Sequence, residues 1–276
     1  MLKIATSLIV FFLINSLAEA RTIWVWEDRF SSKDKNQLIE WVEHSTTGIE
    51  NLLGGFPYDI EVHFHKHTGG NGPVPWANTN KRRIPAVHFH VNTKYSPYVF
   101  EKDWTAPHEL SHLLFPYLGR DGMWFAEGIA SYLQYQIMYA NNTKTWDQVV
   151  YKLSERFRAA QRYRQFDDLT LLELNDIVFQ TGAFVRLYWA GAAYFLHIDK
   201  TLYEQKGVRL NDVIVDYLNC CIHHNVYSEK SMIRLFDKIS RSRIFSNAYD
   251  KLVLREGFPA VKANLDWYKQ NPPELR

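Results

Sequence analysis

Cysteine is almost missing from this 276-residue sequence: there are two, and they are neighbours, Cys220 and Cys221. Adjacent cysteines are poorly placed for an ordinary internal disulfide, which excludes a disulfide scaffold. The pair reads as buried and inert on an apolar helix. Net charge is scarce as well. Thirty-two basic residues against 30 acidic ones leave +2, and the basic residues are dispersed, so there is no electrostatic basis for binding nucleic acid. Glycine and proline, 13 and 10 in number, mark turns without forming a repeat or a low-complexity tract. No apolar run spans a bilayer. The longest, Ile4–Leu17, is fourteen residues, short of the roughly 20 that a membrane-crossing helix needs.

That run has another meaning. A basic start at Lys3, an apolar core and Ala18-Glu19-Ala20 have the form of a secretory signal peptide cleaved before Arg21. The expectation is a secreted or periplasmic protein whose mature chain, residues 21–276, builds one domain around a sizeable core. Lys3 and Glu19 leave together, so cleavage keeps the charge at +2.

Along the chain the hydrophobic period shifts between that of strands and that of helices. Residues 22–28 alternate as a strand, and Lys35–Leu53 repeats at helical spacing up to Gly54-Gly55. Tyr58–His65 and Ile84–Val91 alternate again. In these two segments Ile60, Val62, Phe64, Val87, Phe89 and Val91 form apolar faces. His63, His65, His88 and His90 fall on the opposite ones. The strand period of two explains those histidines as polar residues on a solvent-facing or cleft-facing side, with a second metal site as the sharper alternative. Beyond Tyr132 helical spacing dominates: 146–160, a helix entered through Asp167-Asp168-Leu169-Thr170, the strongly apolar 182–202, then 208–217, 228–239 and 246–269. The fold class is therefore α+β, with an α/β part at about 21–115 and a helical part at about 116–276.

The segment Trp104–Phe115 contains His108-Glu109-Leu110-Ser111-His112. Two histidines four apart on a helix lie about 400° round the axis and roughly 6 Å along it, so both imidazoles can close on one zinc ion. Glu109 lies about 100° round from His108, beside the metal face, where it can act on a water without being a ligand. Pro107 is tolerated in the first turn and Pro116 stops the helix. Fourteen residues separate His112 from Glu127. Pro116, Gly119 and Gly122 lie among them, so a second helix can fold back and offer Glu127 as third ligand. Two histidines and a glutamate leave a fourth position open, as catalytic zinc sites require.

These residues carry a resemblance. His-Glu-x-x-His with a distal glutamate is similar to the gluzincin zinc peptidases. Trp124-Phe125-Ala126-Glu127-Gly128-Ile129-Ala130-Ser131-Tyr132 resembles the glycyl aminopeptidase family and its aminopeptidase N relatives. Tyr188, sixty-one positions past Glu127, stands where those families carry Tyr-x-Lys-Gly, although Ala190 replaces the lysine. The resemblance implies a thermolysin-like zincin domain binding one Zn²⁺ through His108, His112 and Glu127 and acting on peptides or proteins. It also implies Glu109 as general base and Tyr188 as donor to the oxyanion. By the same analogy Ile84–Val91 is the sheet edge that pairs with substrate, and Ser131, one turn past Glu127, would orient His108. The spacer before Glu127 is shorter than in aminopeptidase N relatives, and their Gly-x-Met-Glu-Asn element is missing. That leaves endopeptidase and aminopeptidase action open. The rival reading from another class is a zinc-stabilised binding module without turnover, against which Glu109 argues because a structural site has no use for a base.

Overall fold

The computed structural model describes residues 20–276 apart from Arg82 and Asn225. All but the last residue of the expected signal peptide lies outside them. Among the described residues no helix is long and apolar enough to cross a membrane. The chain is mixed α and β, with one small sheet near its start and helices thereafter.

Strand β1 (Thr22–Trp26) leads into helix α1 (Ser32–Leu53), which returns the chain to β2 (Ile60–Lys66). The helix begins ahead of its expected start at Lys35 because Ser31 and Asp34 form a reciprocal capping box, each side chain bonded to the other's backbone N–H. Gly54 ends it in the left-handed conformation, φ +83°. Strands β3 (Trp76–Lys81) and β4 (Pro85–Val91) follow, and the sheet order is β1-β2-β4-β3. The pairs β1/β2 and β2/β4 are parallel, whereas β3 runs antiparallel to β4. Ile60, Val62, Phe64, Val87 and Phe89 form the core face, on which α1 packs with Trp41 edge-on to Phe89 at 4.9 Å.

The expectation for Ile84–Val91 is corrected here. β4 is interior, held by β2 and β3, and the edge strands are β1 and β3. The β3 sequence Trp-Ala-Asn-Thr-Asn-Lys has no apolar alternation, so it gives no strand signal of its own. Backbone pairing with β4 makes it a strand.

After β4 come α2 (Pro97–Lys102), α3 (Thr105–Leu113), α4 (Met123–Ala140), α5 (Trp146–Gln161), α6 (Leu171–Thr181) and α7 (Phe184–Lys206). The last helices are α8 (Leu210–Cys220), α9 (Glu229–Ile239), α10 (Ile244–Ala248) and α11 (Lys262–Gln270). α10 runs on into a π-helical stretch at Tyr249–Val253. The expected helical region over 246–269 is thus divided between two helices. They are parted where Gly257 adopts φ +87° ahead of Pro259, a combination that no helix interior accommodates. Cys220 and Cys221 are also not as expected. They are bonded to each other at the end of α8, with Cys220 exposed and Cys221 half-buried. Cys221 has already left the helix, at φ −137°, which is what allows neighbouring sulfurs to meet.

The centre of the helical part is the crossing of α4 and α7. α4 is buried along most of its length and α7 through its middle, from Trp189 to Leu196, and they touch backbone to backbone at Gly128 and Gly191. A Cβ on Gly128 would stand 2.6 Å from the Gly191 carbonyl carbon, and one on Gly191 would stand 2.2 Å from the Trp124 carbonyl oxygen. Beyond the crossing Asp199 of α7 ties three helices. It accepts from the Tyr132 hydroxyl (2.6 Å), from two Arg209 nitrogens (2.9 and 2.6 Å) and from the Leu210 N–H (2.8 Å). A buried carboxylate satisfied on this scale is anchored as well as paired.

Replacing Gly191 by alanine should therefore lower stability by about 1–3 kcal/mol, the usual cost of overpacking a tight core. The check is the urea midpoint at unchanged slope; an unshifted midpoint would show that the crossing has slack.

Candidate metal centre

Helix α3 starts at Thr105 with Pro107 in its first turn and ends at Leu113, as the proline positions predict. Its last carbonyls are satisfied from elsewhere in the fold. Lys81, the final residue of β3, donates its ammonium to the His112 carbonyl oxygen, and the Tyr58 hydroxyl donates to that of Leu113. Both donors fix the turn that presents His112. Burial pushes the Lys81 ammonium down to about 7.

Helix α4 has Gly122 at its N-cap and so no capping side chain of its own. Asn175 of α6 supplies the missing contacts. Its Oδ1 accepts from the Trp124 N–H at 3.0 Å, and its amide donates to the Arg120 carbonyl at 3.1 Å. The first turn of α4, just ahead of Glu127, is thereby pinned to α6.

With both helices fixed, His108, His112 and Glu127 converge. Their candidate ligand atoms lie within 4.8 Å of one another. His108 Nε2 is 3.2 Å and His112 Nε2 3.6 Å from the same Glu127 oxygen. The side chains are 5%, 12% and 18% exposed, dry enough to strengthen their electrostatics yet open on one side. The Nδ1 of His108 faces Gln134 Oε1 at 2.9 Å. An amide oxygen can only accept, so Nδ1 carries a proton, and Nε2 is the nitrogen that faces the cluster. Ser131, expected to orient His108, is not the residue bonded to Nδ1; Gln134, a turn further along α4, takes that place.

The charges are divided sharply. Burial opposes ionisation of Glu127, but the charge of His112 and the hydrogen bonds from both imidazoles outweigh it, holding that carboxyl well below the usual range. For Glu109 burial prevails over the two imidazoles, and its pKa is raised. For His108 the hydrogen bond and charge of Glu127 overcome burial and raise its pKa. Two imidazole nitrogens aimed at one carboxylate oxygen need a proton or a cation between them. Two nitrogens and one carboxylate oxygen are a donor set that suits zinc.

Around the cluster lies a cleft of about 890 Å³, lined by β3, Glu109, Trp104, Tyr188 and the segment from Phe115 to Arg120. Glu109 and Tyr188 both line it. The ring of Tyr188 lies nearly parallel to that of His108, 6.4 Å away. Burial raises its phenol pKa, and the charges of Glu127 and Glu109 add to the effect, so it remains a proton donor at neutral pH.

No protein-family model matches the sequence, and no curated protein does. Among solved structures the chain resembles an M1 zinc metallopeptidase from Deinococcus radiodurans, with TM-score 0.51 and 11% identity over 85% of this chain and 48% of that one. A second structure of an M1 zinc metallopeptidase from that organism, a mutant bound to a Tyr-Ser-Ala substrate, matches with TM-score 0.50 and 11% identity over 87% and 49%. The chain spans about half the length of these enzymes. At such identity the likeness is one of fold alone. The His-His-Glu cluster points to a metal ion.

If Gln134 holds the His108 tautomer, Gln134→Leu should weaken zinc binding 10- to 100-fold, the range for lost orienting partners. Competition against a fluorescent chelator measures this, and an unchanged affinity would remove Gln134 from the site.

Proposed function

We propose that this chain is a secreted or periplasmic zinc peptidase with a thermolysin-like catalytic arrangement, its α/β part at about 21–115 and its helical part at about 116–276 meeting at the cleft. The observation that carries the proposal is the convergence of His108, His112 and Glu127 beside a separate carboxylate, Glu109, whose pKa is raised instead of lowered. One Zn²⁺ held by the three ligands would supply Lewis acidity toward a carbonyl and toward water.

The chain's own residues do the rest. Glu109 takes the proton of the attacking water and delivers it to the leaving amine nitrogen, a task that suits a carboxylate whose pKa burial raises. Tyr188 donates its hydroxyl proton in a hydrogen bond to the oxygen that gains charge as the carbonyl becomes tetrahedral. β3 has one edge bonded to β4 and the other toward the cleft, where an extended substrate can add as a further strand.

The cleft's charge argues for internal cleavage. Among the described residues its lining carboxylates are Glu109 and Glu127, and its lining cations are Lys81 and Arg120. Both carboxylates are committed to the reaction, so a free substrate amino group would meet no spare negative charge. We therefore favour endopeptidase action over removal of N-terminal residues.

Three outcomes follow. Glu109→Gln should keep its zinc and lose about 10²–10⁴-fold in kcat, the scale of positioned proton transfer; activity equal to wild type would refute the base. If neither form cleaves anything in a broad peptide library, the zinc-stabilised binding module is the correct reading. Tyr188→Phe should lower kcat by about 10²–10³-fold, as when another oxyanion donor is removed, with zinc content unaltered. Peptides with acetylated N-termini should be cut at internal bonds as fast as free ones, read by mass spectrometry; a strict need for the free amine would make the enzyme an aminopeptidase.

A further inference from the structure

The sheet carries a second group of imidazoles that the cleft does not use. β2 and β4 are adjacent and parallel, in a register that sets His63 beside His88 and His65 beside His90. All four side chains thus stand on one face, each half-buried. Their rings stack in a row: His63 on His88 at 4.2 Å, His88 and His65 at 5.3 Å, His65 on His90 at 4.4 Å, and His90 against Trp76 of β3 at 4.4 Å. Parallel strands usually bear apolar residues on both faces, so four histidines on the two central strands are a departure that calls for a chemical account.

At the middle of the row His65 Nε2 and His88 Nδ1 face each other at 3.0 Å. We propose that His65 and His88 are the chelating pair of a second metal site, on the sheet, for a divalent ion of tetragonal preference, copper(II) before others. Two nitrogens each about 2.0 Å from one ion would be roughly 2.8 Å apart at a right angle and about 3.3 Å apart at the tetrahedral angle, taking zinc–imidazole bonds as the guide. His65 and His88 are hydrogen-bonded at 3.0 Å, so an ion replacing that shared proton near a right angle, the geometry of Cu(II) and Ni(II), needs little movement of either ring, and affinity for such ligands peaks at copper. The pair is also braced. His63 backs His88 and His90 backs His65, so little rotamer freedom remains to be lost on binding. His63 is fixed in turn, with Nδ1 2.7 Å from Glu27 and Nε2 3.1 Å from Glu61. Those two carboxylates add negative charge beside a bound cation. The site shares no residue with His108, His112 and Glu127, so its loading is independent of the proposed peptidase reaction.

The test uses the full mature chain after saturation with zinc. Copper(II) titrated into it should bind one further equivalent, followed by calorimetry, with an electron paramagnetic resonance spectrum showing at least two nitrogen ligands. It should quench tryptophan fluorescence, and Trp76→Phe should remove most of that quenching. The double variant His65→Gln/His88→Gln should bind this equivalent at least tenfold more weakly while keeping its zinc and its near-ultraviolet circular dichroism. Copper binding unchanged in the double variant would overturn the site. So would one zinc ion released for each copper bound, or quenching that survives loss of Trp76.

Discussion

The contact that everything near the cleft depends on is the meeting of two glycines. Gly128 follows Glu127 directly, and Gly191 lies three residues past Tyr188. Because neither has a Cβ, α4 and α7 approach until their backbones touch, closer than the 8–10 Å common between packed helices would allow with larger side chains. That approach brings the ring of Tyr188 over His108. Asp199, two turns beyond Gly191, holds the same two helices together through Tyr132 and extends the tie to α8 through Arg209. Contact and clamp act together: the first sets how near the helices come, the second keeps them from sliding.

Much of this was legible in the residues. The spacing of His108, His112 and Glu127 implied two helices and a turn, and α3 and α4 supply them. The histidines of β2 and β4 were placed on one face by period alone, and the parallel register agrees. What escaped has a common physical origin. β3 became a strand through pairing and not through its own pattern. Lys81 and Tyr58 reach the end of α3 from 31 and 55 residues away, a relation that no local window contains. Gln134 was within reach of sequence reasoning, since it lies two turns past Glu127 on the same helix face. Small-residue logic pointed to Ser131 instead. The bond between Cys220 and Cys221 depended on where α8 ends, and helix ends are the least determined part of a hydrophobic pattern.

The electrostatics of the cleft connect fold to reaction. Glu109 and Glu127 are both shielded from bulk water, and two carboxylates so placed would repel if both were ionised without compensation. The fold treats them differently. Glu127 faces both imidazoles and is held ionised, as its proposed place as a metal ligand requires. Glu109, on the neighbouring face of α3, feels burial more than the imidazoles and holds its proton more readily. Groups of one type whose environments drive their pKa values apart are how a single site obtains two roles. The separation originates in the helix itself: one residue of rotation, about 100°, takes Glu109 off the line that His108 and His112 share. A carboxylate moved onto that line would become a fourth ligand, close the coordination shell and leave no group free to carry a proton.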